Sequence, residues 1–308
     1  MILDVDTGTD DAVAIMLAAL HPDLDLIGVT TVNGNVEVRY CTDNTLRTLD
    51  FVGRSDIPVF EGVARPLVRP DFPTPRAIKK STGVHGLSLD IPDPTSTKQS
   101  RSAVEFLIET YRSATDEITL VPTGPLTNIA AAVALDPGFV DRVPEVVIMG
   151  GAHHHGNVTP AAEFNIWADP EAAHRVFTSG IDLTMVGLDV THQALLRPAD
   201  VDRLRVAGKA GKLVADLFSF YVGFHRSRYG WDAAPVHDAV AVAHVIDGGL
   251  LGTEHAGVVV DTGGELSRGR TYVDLRGATE WERNCHVALR IDADRFRELL
   301  LTRISSLG

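Results

Sequence analysis

Short apolar runs rich in β-branched residues alternate with longer helical patterns along most of the chain. MILDV is followed by DDAVAIMLAAL, and LDLIGVTTV is followed by a helical pattern from about residue 36 to residue 52. The runs EITLVP, EVVIMGG and DLTMVGLDV continue this arrangement, with helical segments between them. Strands that alternate with helices are typical of a parallel sheet covered on both faces. The sequence therefore predicts an α/β fold with a mostly parallel open sheet flanked by helices and a Rossmann-like core.

Each predicted strand runs into a polar or glycine-rich loop. In sheets of this class, ligands bind in the crevice beyond the carboxyl ends of the strands, so these loops are the expected place for a functional site. The proline-rich stretch 65–97 has no clear period, which is typical of a lid, a binding loop or disorder. No internal repeat or compositional break marks a linker, and we expect a single domain over residues 1–308.

Composition and charge narrow the choice of partners and compartment. The formal net charge of −13 argues against nucleic acid or an anionic membrane, because both select for Lys and Arg surfaces. The two cysteines, Cys41 and Cys285, are far apart and favour neither a disulfide framework nor a zinc–thiolate site. No signal-peptide pattern and no apolar run of membrane-spanning length is evident. We expect a cytoplasmic protein with a small neutral or cationic ligand.

Four aspartates, Asp4, Asp6, Asp10 and Asp11, lie within DVDTGTDD at the end of the first predicted strand. Carboxylates this close repel one another unless a positive group lies among them. The N-terminus of the following helix favours Asp10 and Asp11, but it does not explain why Asp6 should face them. Oxygen ligands arranged around a turn bind Ca²⁺ or Mg²⁺, and a carboxylate that contacts an attacking water can act as its general base. The cluster predicts a site for a hard cation.

Two enzyme families begin with similar residues. LDVDTGT resembles the haloacid-dehalogenase phosphatases, in which Asp4 would be the nucleophile over Mg²⁺, but the crevice loops offer no Lys to offset the phosphate charge. The longer string DVDTGTDDAVAI is more similar to the nucleoside hydrolases, because their second Asp is followed by an Asp-Asp pair on the helix. A non-catalytic ribose-binding protein is a third hypothesis, which the presence of Asp6, Asp11, His237 and Asp238 disfavours.

Further motifs similar to those of the inosine-uridine preferring nucleoside hydrolases follow in the same order between about residues 2 and 240. They are TTVNGN, VPTGPLTNIA, IMGGA with GNVTPAAEFNIWADPEAA, and PVHDAVAVAH. Several matches that occur in the same order over most of the chain are far more specific than any one of the motifs. The resemblance implies the nucleoside hydrolase fold and hydrolysis of the N-glycosidic bond of ribonucleosides to free base and ribose.

The resemblance also implies a set of metal ligands that all bind through oxygen. They are Asp6, Asp11, the backbone carbonyl of Thr123, and Asp238. Oxygen-only ligation suits a hard ion, and the resemblance implies Ca²⁺. Asp6 would also take the proton from the water that attacks the anomeric carbon, so its removal should abolish turnover.

The side chains that would bind the ribose are carboxylates and amides, which suit hydroxyls that both donate and accept. The resemblance assigns this role to Asp10, Asn35, Asn157, Glu163 and Asn165. A site built on such hydrogen bonds penalises a substrate that lacks one of the hydroxyls. Deoxyribonucleosides should therefore be poor substrates.

Fewer matching motifs support the roles that the resemblance implies for residues beside the nucleobase. His237 is the candidate acid for the leaving base, since Asp238 beside it would favour a charged imidazole. His85 matches a family His that lies over the base, and Tyr229 resembles a residue of a mobile loop that closes over it. No Trp pair is evident of the kind that stacks the base in purine-specific relatives, which favours pyrimidine or broad specificity. Relatives are usually dimers or tetramers, so we expect a homo-oligomer.

The run His153, His154 and His155 raises the alternative of a transition-metal site. Adjacent side chains point in different directions, and few carboxylates lie near them in the sequence. We therefore expect a solvated run at the rim of the pocket.

Overall fold

The computed structural model describes residues 1–69 and 91–306 of the 308-residue chain. His85 lies outside the described residues, as does the side chain of Tyr229. In chain order the strands are β1 (Ile2–Val5), β2 (Gly28–Thr31), β3 (Val59–Glu61), β4 (Leu120–Pro122), β5 (Val146–Met149), β6 (Leu183–Val186), β7 (Leu195–Leu196), β8 (Ala234–Pro235), β9 (Leu251–Val260), β10 (Thr271–Asp274) and β11 (Cys285–Ile291). Among the described residues, no helix is both long enough and apolar enough to cross a bilayer.

The helices cover both faces of the sheet. They are α1 (Thr9–Leu20), α2 (Val38–Phe51), α3 (Ala103–Ser113), α4 (Thr127–Leu135), α5 (Phe139–Arg142), α6 (Phe164–Ala168), α7 (Pro170–Phe177), α8 (Leu188–Thr191), α9 (Pro198–Arg205), α10 (Gly208–Tyr229), α11 (Asp238–Ile246) and α12 (Ala293–Ser305). One hydrophobic cluster lies on each face, built around α1 and α11 on one side and around α3, α4 and α7 on the other.

Nine strands form one sheet in the order β10-β9-β11-β6-β5-β4-β1-β2-β3. All neighbours from β11 to β3 pair in parallel, and β9 pairs antiparallel with β11 and with β10. The predicted mostly parallel sheet flanked by helices is confirmed. The antiparallel strands β9 and β10 extend one edge of this sheet.

The strand order reverses at β1. The chain moves outward on one side through β2 and β3, returns to the other side of β1 as β4, and continues outward through β5 and β6. At such a switch point the loops that follow the two central strands diverge to opposite faces and leave a crevice between them. The crevice therefore lies beyond the carboxyl ends of β1 and β4.

Helices α1 and α11 pack against each other beneath this crevice. In α1 every residue from Ala12 to Ala19 is buried, and in α11 every residue from Asp238 to Ala243 is buried. Neither helix has a polar face along these residues, as expected for helices that lie inside the protein. Their packing places the first turn of α11 beside the first turn of α1, although some 230 residues separate them in the sequence.

Candidate metal centre and active site

Four carboxylates converge at the switch point, and we call them the four-carboxylate cluster. Asp6 follows β1, Asp10 and Asp11 lie in the first turn of α1, and Asp238 begins α11. Single oxygens of Asp10, Asp11 and Asp238 lie within 4.8 Å of one another. The charges of Asp10 and Asp11 act directly on Asp6. The structure thus brings together the three aspartates predicted as metal ligands and one predicted ribose ligand.

The electrostatics of the cluster call for a positive charge. Burial, followed by the charge of Asp11, raises the pKa of Asp10 to about 7. Burial and neighbouring carboxylates raise the pKa of Asp6 and of Asp238 well above the usual range. In the part of the chain that the structure describes, the strongest influences on these groups are other carboxylates and hydrogen-bond donors, with no Lys or Arg among them.

Hydrogen bonds fix the orientation of two of the carboxylates. The backbone N–H of Asn35 donates to Asp6 Oδ2 at 2.6 Å, and its side-chain amide donates to Asp11 Oδ2 at 3.2 Å. Asp11 also accepts from the Gly8 N–H at 2.8 Å and from the Thr123 hydroxyl at 2.9 Å. A Cβ atom on Gly34 would overlap the Asp6 carboxylate, so glycine is required where this loop approaches the cluster.

The Thr123 carbonyl lies at the same end of the sheet, directly after β4. It accepts a hydrogen bond from Asn165 Nδ2 at 2.7 Å, and the same amide donates to the Met149 carbonyl at 3.0 Å. A carbonyl oxygen has two lone pairs, so one remains for a second partner. Buried, unbalanced carboxylates together with a backbone carbonyl form the oxygen-only donor set that hard divalent cations prefer. The residues present therefore fit such a cation.

Glu163 and Asn165 join the cluster from the start of α6. The Glu163 carboxylate accepts the N–H groups of Gly151, Asn165 and Ile166 at 2.9, 2.9 and 3.2 Å. Burial raises the pKa of Glu163 to about 7, and its charge in turn raises the pKa of Asp238. Glu163 is therefore both the N-cap of α6 and a fifth carboxylate near the cation site.

Asn157 lies further out than the other predicted ribose ligands. It is exposed, and its side-chain oxygen accepts the N–H of Phe164 at 3.0 Å. Among the described residues, its link to the four-carboxylate cluster is indirect and runs through the segment 163–165.

Asp4 points away from the cluster and is completely buried. Its Oδ1 accepts from the Thr30 hydroxyl at 2.6 Å and from Asn128 Nδ2 at 2.7 Å. Asn128 also donates to the Thr31 carbonyl and accepts the Val63 N–H, so this network holds β1, β2 and the segment after β3 together. A nucleophile must reach its substrate, and Asp4 does not, which removes the phosphatase hypothesis.

His237, the N-cap residue of α11, is surrounded by aromatic side chains. The ring centroid of His192 is 5.6 Å from that of His237 and also 5.6 Å from that of Trp231. Trp231 in turn stacks with His225 at 6.1 Å. Neither His192 nor His225 is among the site residues predicted from the sequence. The LDVTH segment does follow a strand, β6, so the rule about loops after strands could have indicated His192.

The pKa of His237 moves in the direction opposite to the one expected from Asp238. Burial, followed by the charges of His192 and His225, lowers it to about 3. This direction differs from the expected charged imidazole, because the loss of water and the two neighbouring imidazoles disfavour the charged ring. The lowered pKa favours a neutral imidazole at neutral pH, with one donor and one acceptor nitrogen.

The histidine run is more organised than a solvated run. His154 and His155 are exposed, as expected, but Asp189 accepts the backbone N–H groups of His153 and His154 at 2.7 and 3.1 Å. Asp189 also lies 2.6 Å from His154 Nδ1. The three histidines line a cavity of about 500 Å³ together with Leu188, Asp189, His192, Gln193, Leu275 and Leu289.

Fold and site together define an α/β protein with a buried acidic cluster at the switch point of a parallel sheet. The family model described as inosine-uridine preferring nucleoside hydrolase matches residues 1–298. The chain belongs to this family, whose members are metal-dependent N-glycosyl hydrolases, and it is an enzyme that hydrolyses ribonucleosides.

Individual relatives support the same assignment. The chain is 41% identical to the pyrimidine-specific ribonucleoside hydrolase RihA of Shewanella oneidensis, over 99% of this chain and 96% of that protein. It is 41% identical to the inosine-uridine preferring nucleoside hydrolase of Leishmania major, over 100% and 98%. Among solved structures, the purine-preferring ribonucleoside hydrolase from Gardnerella vaginalis superposes with a TM-score of 0.92 at 36% identity, covering 99% and 98%.

Proposed function

We propose that the chain is a single-domain, Ca²⁺-dependent ribonucleoside hydrolase of pyrimidine or broad base specificity. The observation that carries this proposal is the four-carboxylate cluster, in which buried acids from opposite ends of the chain meet without a Lys or Arg among the described residues. Carboxylates this close stay charged only where a positive ligand offsets their repulsion, and the raised pKa values of Asp6 and Asp238 reflect burial and a repulsion that no described Lys or Arg offsets. Asp6, Asp11, Asp238 and the Thr123 carbonyl are the proposed ligands.

When bound, a divalent cation supplies a Lewis acid that makes a coordinated water more acidic. Asp6 is the proposed base that takes the proton of the water attacking the anomeric carbon. Its carboxylate is held by the Asn35 N–H at 2.6 Å, so it faces the crevice in one orientation. A carboxylate removed from bulk water is also a stronger proton acceptor than an exposed one.

The proposed ribose ligands form hydrogen bonds that a sugar hydroxyl can extend. Asp10, which is 9% exposed, is the member of the cluster that is open to the crevice. Glu163 and Asn165 approach from α6, and Asn35 approaches from the loop after β2. Asn157, at the rim, is proposed as an outer contact. These groups bind the substrate through its sugar, which leaves selection of the base to other residues.

The base leaves on the side of His237. As a neutral imidazole, His237 acts as a hydrogen-bond donor to the departing base, since a neutral His can polarise an acceptor atom without being charged. We propose His85 and Tyr229 as further base contacts, on the resemblance alone. Relatives named for pyrimidine and for purine preference are similarly distant from this chain, so the preference for pyrimidines rests on the absence of a tryptophan pair.

We also propose a cytoplasmic homo-oligomer, a dimer or a tetramer. Both cysteines are free and buried, which suits a reducing compartment. The oligomeric state follows from the resemblance, and light scattering coupled to size-exclusion chromatography measures it directly.

A substrate panel tests the function. Uridine, cytidine, inosine and uridine monophosphate are incubated with the enzyme after treatment with a chelator and again after addition of Ca²⁺, Mg²⁺ or Mn²⁺. We expect free base and ribose from nucleosides only when a cation is present, with Ca²⁺ sufficient. Binding of ribonucleosides without release of base would instead indicate a ribose-binding protein, and activity with Mg²⁺ but not Ca²⁺ would refute the proposed ion.

A further inference from the structure

Thr191 contacts His237 through a buried side-chain hydrogen bond. Its Oγ1 lies 2.8 Å from His237 Nδ1, and Thr191 itself is completely buried at the end of α8. This threonine belongs to neither the predicted metal ligands nor the predicted ribose ligands. It reaches the site from the segment after β6, whereas His237 comes from the segment after β8.

Main-chain hydrogen bonds hold these two segments at a fixed distance. The Ala194 N–H donates to the Thr191 carbonyl, and the Val236 N–H donates to the Ala194 carbonyl at 2.9 Å. Strands β7 and β8 then pair antiparallel, with Leu196 opposite Ala234. The contact between Thr191 and His237 therefore depends on how the two backbone segments are held together, and not only on the rotamers of the two side chains.

The contact with Thr191 fixes which nitrogen of His237 is engaged inside the protein. A buried hydroxyl must have a partner, and in the described part of the chain the partner of this side chain is His237 Nδ1. Nε2 is therefore the ring nitrogen that remains for a ligand, and a ring that accepts the Thr191 proton at Nδ1 carries its own proton on Nε2. His192, packed edge-on at 5.6 Å, limits rotation of the ring.

We propose that Thr191 is a positioning residue that engages His237 Nδ1 and so keeps the Nε2–H group directed at a carbonyl oxygen or ring nitrogen of the departing nucleobase. The inference rests on the proposed role of His237 in base departure. It deepens that role, because an imidazole without this hydrogen bond can turn over and present either nitrogen, so Nε2 faces the base only part of the time.

Two substrates separate a positioning role from a structural one. Uridine needs help for its leaving base, whereas p-nitrophenyl β-ribofuranoside releases a stable phenolate that needs no proton. For Thr191→Val, which keeps the shape and removes the hydroxyl, we expect kcat with uridine to fall by about 10- to 100-fold, part of the usual contribution of a proton donor. With the nitrophenyl riboside we expect a loss below about threefold, and Thr191→Ser should restore most of the uridine rate.

The matched control is Thr48→Val, since Thr48 is a buried threonine whose hydroxyl donates to the Asn44 carbonyl of its own helix. Equal losses with both substrates for Thr191→Val, or no loss with uridine, would overturn the inference. If the wild-type enzyme hydrolyses neither substrate, the proposed function fails instead, which is a different result.

A spectroscopic measurement keeps the inference testable if Thr191→Val does not fold. In wild-type protein labelled with ¹⁵N-histidine, long-range ¹H–¹⁵N correlation distinguishes the two tautomers, and comparison with His237→Gln assigns the signal. We expect the Nε2–H pattern for His237. The Nδ1–H pattern would contradict the proposed direction of the hydrogen bond.

Discussion

The carboxylate side of the site and the imidazole side are held in different ways. Asp6, Asp11 and Asp238 lie at the ends of β1, α1 and α11, which are buried elements of the core. On the imidazole side, His237 is held by one side-chain hydrogen bond and by contacts between aromatic rings. Trp231, which completes that side, is 39% exposed. We therefore expect the proposed cation and ribose ligands to form a rigid surface, and the proposed base side to depend on one side-chain hydrogen bond and on ring packing.

Under the proposed roles, the chemistry at the ribose uses the same groups for every base, whereas selection of the base depends on shape and hydrogen bonding on the imidazole side. Substitutions on the two sides should accordingly have different effects.

The largest effect is expected on the carboxylate side, from Asp6→Asn. This substitution removes the proposed base and one charge from the cation site while keeping the shape. We expect kcat to fall by about 10⁴-fold, the upper end of the contribution of a general base, as measured by release of uracil from uridine. Asp4→Asn is the matched control, because Asp4 lies two residues away but is hydrogen-bonded away from the crevice. A comparable loss for both variants would show that Asp6 has no special role.

A substrate that lacks one sugar hydroxyl also tests the carboxylate side, because the change is made in the substrate and not in the protein. Deoxyuridine lacks one hydroxyl that the carboxylate and amide ligands are proposed to bind. A hydrogen bond to a charged group contributes about 1.5–3 kcal/mol, so we expect kcat/KM to be about 100-fold lower than for uridine. Equal values for the two substrates would mean that the cluster does not recognise the sugar in this way.

The acidic cluster of DVDTGTDD was predictable from the sequence because it follows a strand and begins a helix, whereas Asp238 was predicted from the resemblance to the nucleoside hydrolases. Alternating strands and helices predicted a parallel sheet, and in such a sheet the loops after the strands meet at one edge. Asp6, Asp10 and Asp11 lie in the loop and first helical turn after β1, at that edge of the sheet, and the packing of α11 against α1 brings Asp238 to them. Only the structure distinguishes Asp4 from the other three aspartates of this segment, because its orientation depends on Thr30 and Asn128, which are distant in the chain.

The imidazole side was less predictable because its properties come from packing between segments. The sequence places Asp238 next to His237, which favours a charged ring. The structure adds His192 and His225 around it and removes water, and these effects lower the pKa to about 3. Neither neighbour is close to His237 in sequence, so no local pattern indicates the sign of the shift. The role of Thr191 was hidden for the same reason.

A smaller effect, on stability, should distinguish the two sides by pH. The pKa of Asp10 and that of Glu163 are raised to about 7 in the folded protein, so between about pH 4 and pH 7 the folded state binds more protons than the unfolded state. Their contribution to stability is therefore fully present below about pH 4 and is lost as the pH rises to about 7. Without metal, Asp10 and Glu163 should lower the melting temperature across this range, whereas His237, with its pKa lowered to about 3, contributes the opposite slope, so His237→Gln should make the fall steeper.

Added Ca²⁺ should oppose that loss, because it binds the deprotonated carboxylates of the folded state. At a concentration 100-fold above its dissociation constant, the stabilisation is about 3 kcal/mol. Differential scanning fluorimetry at several pH values, with chelator and with Ca²⁺, should show an increment in melting temperature that grows with pH. An increment that is independent of pH would indicate that the ion binds elsewhere.

The smallest effect is expected on the imidazole side, where Trp231→Phe should change base preference without changing the ribose chemistry. Trp231 packs edge-on against His192, which packs against His237, so a smaller ring alters the space beside the leaving base. An aromatic contact contributes about 0.5–1.5 kcal/mol, which predicts a change of about 2- to 12-fold in the ratio of kcat/KM for uridine to that for inosine. Trp281→Phe is the matched control, since Trp281 is similarly exposed, at 41%, but lies in the segment after β10. If both variants shift the ratio equally, or neither does, base selection does not depend on this aromatic group, and the separation between the two sides of the site is wrong.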